Sequence, residues 1–133
     1  MDGAVFIRID QSLDEPLYQQ IRNEIVRGIA QGELSPDDPL PSVRRLAGDL
    51  GINLHTVNKA YALLRDQGLV IMRGRSGAFI ARPSDLSGED CVDETLAREL
   101  VRLAESYKAL GRTRSAFEKC VSSQLDVVFG KKE

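Results

Sequence analysis

The sequence predicts a mostly α-helical chain with a small β wing: a winged helix-turn-helix followed by a C-terminal two-helix dimerisation segment. Three observations predict it. Residues 41–82, PSVRRLAGDLGINLHTVNKAYALLRDQGLVIMRGRSGAFIAR, hold two short helical patterns around Gly51 and then two β-rich runs around Gly74 and Gly77. The same block is basic on an otherwise acidic chain. Beyond residue 91, apolar residues recur at heptad-like intervals. A helix-turn-helix places its second helix in the DNA major groove, so duplex DNA is the leading candidate partner.

In chain order, residues 4–9, AVFIRI, alternate loosely and are rich in β-branched side chains, which predicts a short strand. Pro16 suits a first helical position, where its missing N–H would be unpaired anyway. Leu17, Ile21, Ile25 and Ile29 recur every four residues and predict a helix over 16–31, with Gly32 as its stop. The Pro- and Asp-rich stretch GELSPDDPLP reads as a loop. Ser42 is a good N-cap for a helix over 43–50, with Val43, Leu46, Ala47 and Leu50 inward. Gly51 ends it, and Asn53 caps a helix over 54–67 with Val57, Ala60, Tyr61 and Leu64 inward. His55, Thr56, Asn58, Lys59 and Ala62 are left on or near its outer face. Gly68 stops that helix, and residues 69–73 and 78–82 read as the two strands of the wing.

The stretch RPSDLSGEDCVD shifts the composition towards small and acidic residues. It divides the chain into a DNA-binding unit over 1–82, a linker over 83–91, a helical dimerisation segment over 92–129 and a frayed tail over 130–133. Val92, Leu96, Leu100, Leu103, Tyr107 and Leu110 are spaced four, four, three, four and three, a seam about 27 Å long. Gly111 closes that helix. Thr113 caps a last one, with Phe117, Val121, Leu125 and Val128 inward.

A length of 133 residues suits one compact domain, or one domain plus a small appendage. With 42% apolar and 29% charged residues the chain reads as an ordinary soluble protein. No apolar run approaches the roughly 20 residues that span a bilayer. The start MDGAVFIRID has no signal-peptide core, so a cytoplasmic location is expected. Cys91 and Cys120 stand far apart, and His55 is the only histidine, too few ligands for a structural zinc site. Two free thiols, no metal and no cofactor are expected. No His/Asp/Ser or His/Cys constellation supports an enzyme.

The net charge of −2 is unevenly spread. Residues 1–40 hold three basic and eight acidic residues. Residues 41–82 hold seven basic ones (Arg44, Arg45, Lys59, Arg65, Arg73, Arg75, Arg82) against Asp49 and Asp66. Residues 83–133 hold eight basic and ten acidic residues. The positive field is thus concentrated on the segment expected to meet phosphate.

Several motifs resemble the GntR family of bacterial transcription regulators. Leu40-Pro41-Ser42 with Arg44 is similar to that family's entry into its second helix. Thr56-Val57, Leu63-Leu64, Gly68-Leu69-Val70 and the wing glycines also fit. Pro16-Leu17-Tyr18-Gln19-Gln20-Ile21 and Asn58-Lys59-Ala60-Tyr61 look like the YtrA-type subfamily, whose C-terminal part is a short pair of helices. The chain departs at Asp37-Asp38-Pro39, where the family usually has a glycine and a different turn, and at Leu54 and His55, which bear on base preference.

The resemblance implies a homodimeric regulator, expected to be a repressor of a palindromic operator. Arg44, and less clearly Arg45, would meet a base edge or phosphate; the arginine fork suits guanine O6 and N7. Ser42 and Asn53 flank these helices. His55, Thr56, Asn58 and Lys59 are the recognition-helix candidates. Each also has a plainer reading: an intrahelical hydroxyl bond for Thr56, a solvated side chain for Asn58 and Lys59. Arg73, Gly74, Arg75, Ser76 and Gly77 form a wing tip suited to a narrow minor groove, although a tight hairpin needs its glycines regardless. The tip lacks GxxxxGK[ST], so it is a poor nucleotide loop. Leu96, Leu100, Leu103, Tyr107, Leu110, Phe117, Val121, Leu125 and Val128 would pair two subunits. A small-molecule effector is left open, and no membrane partner is expected. The alternative is a winged-helix protein-interaction scaffold that binds no DNA.

Overall fold

The computed structural model describes residues 7–82 and 94–131. The chain divides into two compact units, Met1–Ser84 and Asp85–Glu133.

The first unit is built around three helices. α1 spans Leu17–Ala30, α2 Val43–Leu50 and α3 Leu54–Asp66. The four-residue stripe of α1 does what its spacing predicts: Ile21 and Ile25 are fully buried, and Ile29 packs beside them. Pro16 stands one residue earlier than expected, as the N-cap, its carbonyl accepting from the Gln20 amide. The Ser42 hydroxyl accepts a bond from the Arg45 amide and so starts α2. Gly51 ends α2 in the left-handed conformation (φ 67°), which costs glycine least. The Asn53 carboxamide accepts from the His55 amide and starts α3. Val57, Ala60, Tyr61 and Leu64 then face the core, and α3 packs against α1, α2 and the wing.

The wing consists of β1, Val70–Met72, and β2, Ala78–Ile80, antiparallel with Val70 opposite Ile80 and Met72 opposite Ala78. Both strands are shorter than the expected 69–73 and 78–82. Arg73 already leaves the ladder to form the turn, its amide donating to the Gly77 carbonyl across a single 3-10 turn over Gly74–Ser76. Val70, Ala78 and Ile80 point inward, which ties the wing to the core.

The strand expected over 4–9 is not formed where it can be judged. Residues 4–6 lie outside the described residues, and Ile7, Arg8 and Ile9 have irregular backbone. The physical reason lies in their partners. The Arg8 and Asp10 amides donate to the Glu24 and Gln20 side chains of α1, not to a neighbouring strand. The outer edge of β2 is taken by the loop before α2: Leu40 donates to Ala78, Asp37 to Ile80, and Ile80 back to Asp38. Ile7 is buried all the same, so the apolar part of the signal was correct. Gln20 is the one buried polar side chain among the described residues, and it is fully used, donating to the Asp10 and Glu15 carbonyls.

The second unit holds α4, Glu94–Ala109, and α5, Arg114–Phe129. Val92 and Cys91 lie outside the described residues. The Thr113 hydroxyl caps α5 by accepting from the Ala116 amide. Tyr107 and Phe117 meet across the hairpin with ring centroids 5.4 Å apart. No residue described in α4 or α5 is buried. Gly130 and Lys131 are irregular, and 132–133 lie outside the described residues.

Candidate nucleic-acid interface

Helical geometry sorts the residues of α3. Positions 57, 60, 61 and 64 bury against the core, so 55, 58 and 59 share the opposite face. His55, Asn58 and Lys59 are exposed there, and Thr56 is half-buried at the edge. The helix is held from behind by the Tyr61 hydroxyl, which donates to the Pro41 carbonyl at 2.6 Å. That bond fixes α3 against the chain entering α2. Burial pushes the Tyr61 phenol well above its ordinary pKa, so it remains a donor.

Lys59 is not a free solvated charge. Its Nζ lies 4.0 Å from the centroid of the Tyr18 ring on α1, a cation–π contact. Arg44 and Arg45 are exposed on the first turn of α2. Arg45 pairs with Asp49 one turn on, at 3.9 Å, and Arg44 makes no ion pair among the described residues. Ser42 and Asn53 both spend a side-chain oxygen on capping. Both are exposed, and their side-chain oxygens start the two helices.

The wing divides its arginines. Arg75 stands exposed at the tip, without an ion pair among the described residues. Arg73, expected beside it, is turned back: its guanidinium bonds Asp37 at 2.7 Å and lies 4.7 Å from the Phe79 ring centroid. Arg82 bonds the other oxygen of the same carboxylate, also at 2.7 Å. The Arg73 hydrogen bond, with Arg82 adding to it, holds the Asp37 carboxyl below its ordinary 3.8. Asp37 also has a left-handed backbone, φ 71°, which is uncommon outside glycine and tolerated by Asp. Gly74 and Gly77 take positive φ in the turn, so the tip needs them for its shape, as the plainer reading supposed.

Sequence reading missed Asp37, Phe79 and Arg82 as parts of this site. Arg73 and Arg82 lie 36 and 45 residues from Asp37, beyond any local spacing rule. A faint signal was present: an acidic pair directly before the basic block, in a loop whose turn departs from the family's.

The expected seam residues stand in the second unit on an apolar face with no buried member among the described residues. Leu96, Leu100, Leu103, Leu110, Leu125 and Val128 are exposed, whereas Tyr107, Phe117 and Val121 are half-buried. Leu100, Leu103, Tyr107, Leu110, Val121 and Leu125 line one groove between α4 and α5. Cys120 is a free, exposed thiol. Among the described residues no group of His, Cys, Asp or Glu could hold a metal, and no helix is long and apolar enough to cross a membrane.

A three-helix core with its third helix exposed on one face, followed by a two-stranded wing, defines a winged helix-turn-helix protein. Residues 17–80 match the family described as "Bacterial regulatory proteins, gntR family". The chain is 38% identical over 115 residues to the HTH-type transcriptional regulator Rv1152 of Mycobacterium tuberculosis, covering 86% of this chain and 90% of that protein. It therefore belongs to the GntR family of transcription regulators, and its relatives place it with the YtrA type. YtrA from Sulfolobus acidocaldarius, a GntR-family transcription factor, superposes with a TM-score of 0.61 at 36% identity, over 75% of this chain and 97% of that one. The DNA-binding domain of AraR, solved in complex with operator ORX1, gives a TM-score of 0.51 at 31% identity over 58% of this chain and 96% of that one.

Proposed function

We propose that this regulator is a homodimeric repressor that reads a palindromic operator, with α3 in the major groove of each half-site. The carrying observation is the exposed face of α3, with His55, Asn58 and Lys59 opposite a fully buried face. A helix gripped on one side and bare on the other is a rigid reading head. Thr56, Asn53 and Ser42 flank it. Arg44 and Arg45 on α2 supply positive charge beside it, and Arg75 with Gly74, Ser76 and Gly77 supplies the wing's contact to backbone or minor groove. The operator complex of AraR supports this docking by likeness.

The homodimer rests on the second unit. Two helices with no buried residue among those described leave a leucine face in water. Segments of this size rarely fold without oligomerisation or another staple. A second copy of the same hairpin would cover that face and set two reading heads in twofold register.

Selection of bound sequences from a random duplex pool should enrich an inverted repeat with half-sites about one helical turn apart. Arg44→Ala and Arg75→Ala together should weaken operator binding at least tenfold in mobility shifts and flatten its salt dependence by about two units of slope. Undiminished binding by the double variant would remove these residues from the interface. Failure of any sequence to enrich at low salt would favour the scaffold alternative.

A further inference from the structure

We infer that Asp37 is a positioning residue that withholds two wing arginines from the nucleic-acid backbone, leaving Arg75 as the wing's working cation. The inference rests on the DNA-binding reading above. Three independent features converge on Asp37. Its two carboxylate oxygens accept from two different guanidinium groups, each at 2.7 Å, so Arg73 and Arg82 share one negative charge and the trio keeps a net charge of +1. Its backbone is locked to β2, with the Asp37 amide donating to the Ile80 carbonyl and the Ile80 amide donating to the Asp38 carbonyl. Arg73 also lies over the Phe79 ring, 4.7 Å from its centroid, while its guanidinium bonds the loop carboxylate.

Charge and geometry decide what this arrangement does. All three side chains are substantially exposed, at 36% for Asp37, 44% for Arg73 and 75% for Arg82. Exposed ion pairs contribute little to folding. Their consequence for a polyanion is larger. Each cation that neutralises a phosphate steepens the salt dependence of binding by about 0.9 units of log–log slope. Two arginines that share one carboxylate act on the backbone with a net charge of +1 in place of +2. Among the described residues, the wing therefore presents a net charge of +2 where its three arginines alone would present +3, and Arg75 is the one of them outside the ion pairs. Sequence-independent affinity is lowered, and a larger share of binding is left to the contacts that read bases.

The test uses the full chain with Asp37 replaced by Gly, and separately by Asn. Glycine adopts a φ of 71° without strain and asparagine tolerates it, so both variants keep the turn. Thermal melts check that they fold. Affinity for an operator and for random duplex is measured between 50 and 300 mM salt. Both variants should bind random duplex several-fold more tightly at low salt. Their slopes should be steeper by about one unit, and their operator-to-random ratio lower. Adding Arg73→Gln to Asp37→Gly restores the net charge of the trio and should return slope and ratio to the wild-type values. An unchanged slope in Asp37→Gly, with the wild type still binding DNA, would overturn the withholding role alone. A wild type that binds neither duplex in a salt-dependent way would overturn the DNA-binding reading and this inference with it.

Discussion

At the residue scale, Tyr61 shows how one buried hydroxyl serves a reading helix. Its ring fills the core under α3, and its hydroxyl reaches the Pro41 carbonyl 20 residues earlier in the chain. Tyr61→Phe keeps the packing and removes the donor. A lost hydrogen bond that leaves a carbonyl unpaired costs about 1–2 kcal/mol, which chemical denaturation would register as a lower midpoint with unchanged m. The same burial predicts an alkaline effect. The folded phenol is raised above the ordinary 10.0, so the neutral form is the one the fold retains. Its stabilisation is complete below pH 10 and is lost as pH rises beyond it, because the unfolded chain ionises first. Melts from pH 8 to 11 should show a steeper decline for the wild type than for Tyr61→Phe. The inward position of Tyr61 was legible, since helical period alone places 57, 60, 61 and 64 together. Its partner was not, because a carbonyl in an irregular loop leaves no mark in the sequence. Asp37 is the same lesson with charge: its residue type was visible, its two guanidinium partners were not.

At the element scale, the two caps separate what sequence can and cannot resolve. Ser42 and Asn53 were readable both as helix starts and as DNA-facing residues, and their side-chain oxygens accept the backbone amides of Arg45 and His55. A paired substitution distinguishes the roles at Asn53. Asn53→Ala removes the cap and should cost about 1 kcal/mol, lowering Tm by roughly 4–8 °C for a domain of this size. Asn53→Asp keeps a capping oxygen and adds a negative charge at the positive end of α3, so thermal stability should be retained. That charge would face phosphate if Asn53 borders the duplex, and operator affinity should then fall several-fold while Tm holds. Equal operator affinity for Asn53→Asp and wild type would assign Asn53 to the fold alone. The N-terminal segment gives the opposite case. AVFIRI carries a strand-like pattern, but a strand also needs a free edge, and the loop over 37–40 already occupies that of β2. Pattern reports which side chains want burial. Competition for edges is decided by parts of the chain remote in sequence.

At the scale of the whole molecule, the two units meet the problem of burial differently. Among its described residues, the first buries fourteen apolar side chains around α3, from Ile7 to Ile80. The second buries none among its described residues, although its seam was legible as a heptad-like spacing. Spacing could say that the leucines share a face; it could not say that a two-helix hairpin leaves that face bare. Leu103 and Leu110 remain 61% and 71% exposed. Fully burying a leucine contributes about 1.5–3 kcal/mol, so a second hairpin has a substantial gain within reach. Leu103→Asp with Leu110→Asp places two charges in the groove lined by Tyr107, Val121 and Leu125. Both substitutions lie in the second unit, so the first unit's own melting transition should persist. Sedimentation equilibrium should show the wild type as a dimer and the variant as a monomer. The functional consequence follows from linkage of two reading heads. A monomer engages one half-site, and loses the effective concentration that makes the second contact nearly free of entropic cost. Affinity for a two-half-site operator should fall by roughly a hundredfold or more, whereas affinity for an isolated half-site should hardly move. A variant that stays dimeric would locate the subunit contact elsewhere. A monomeric variant with full operator affinity would mean that each winged helix works alone.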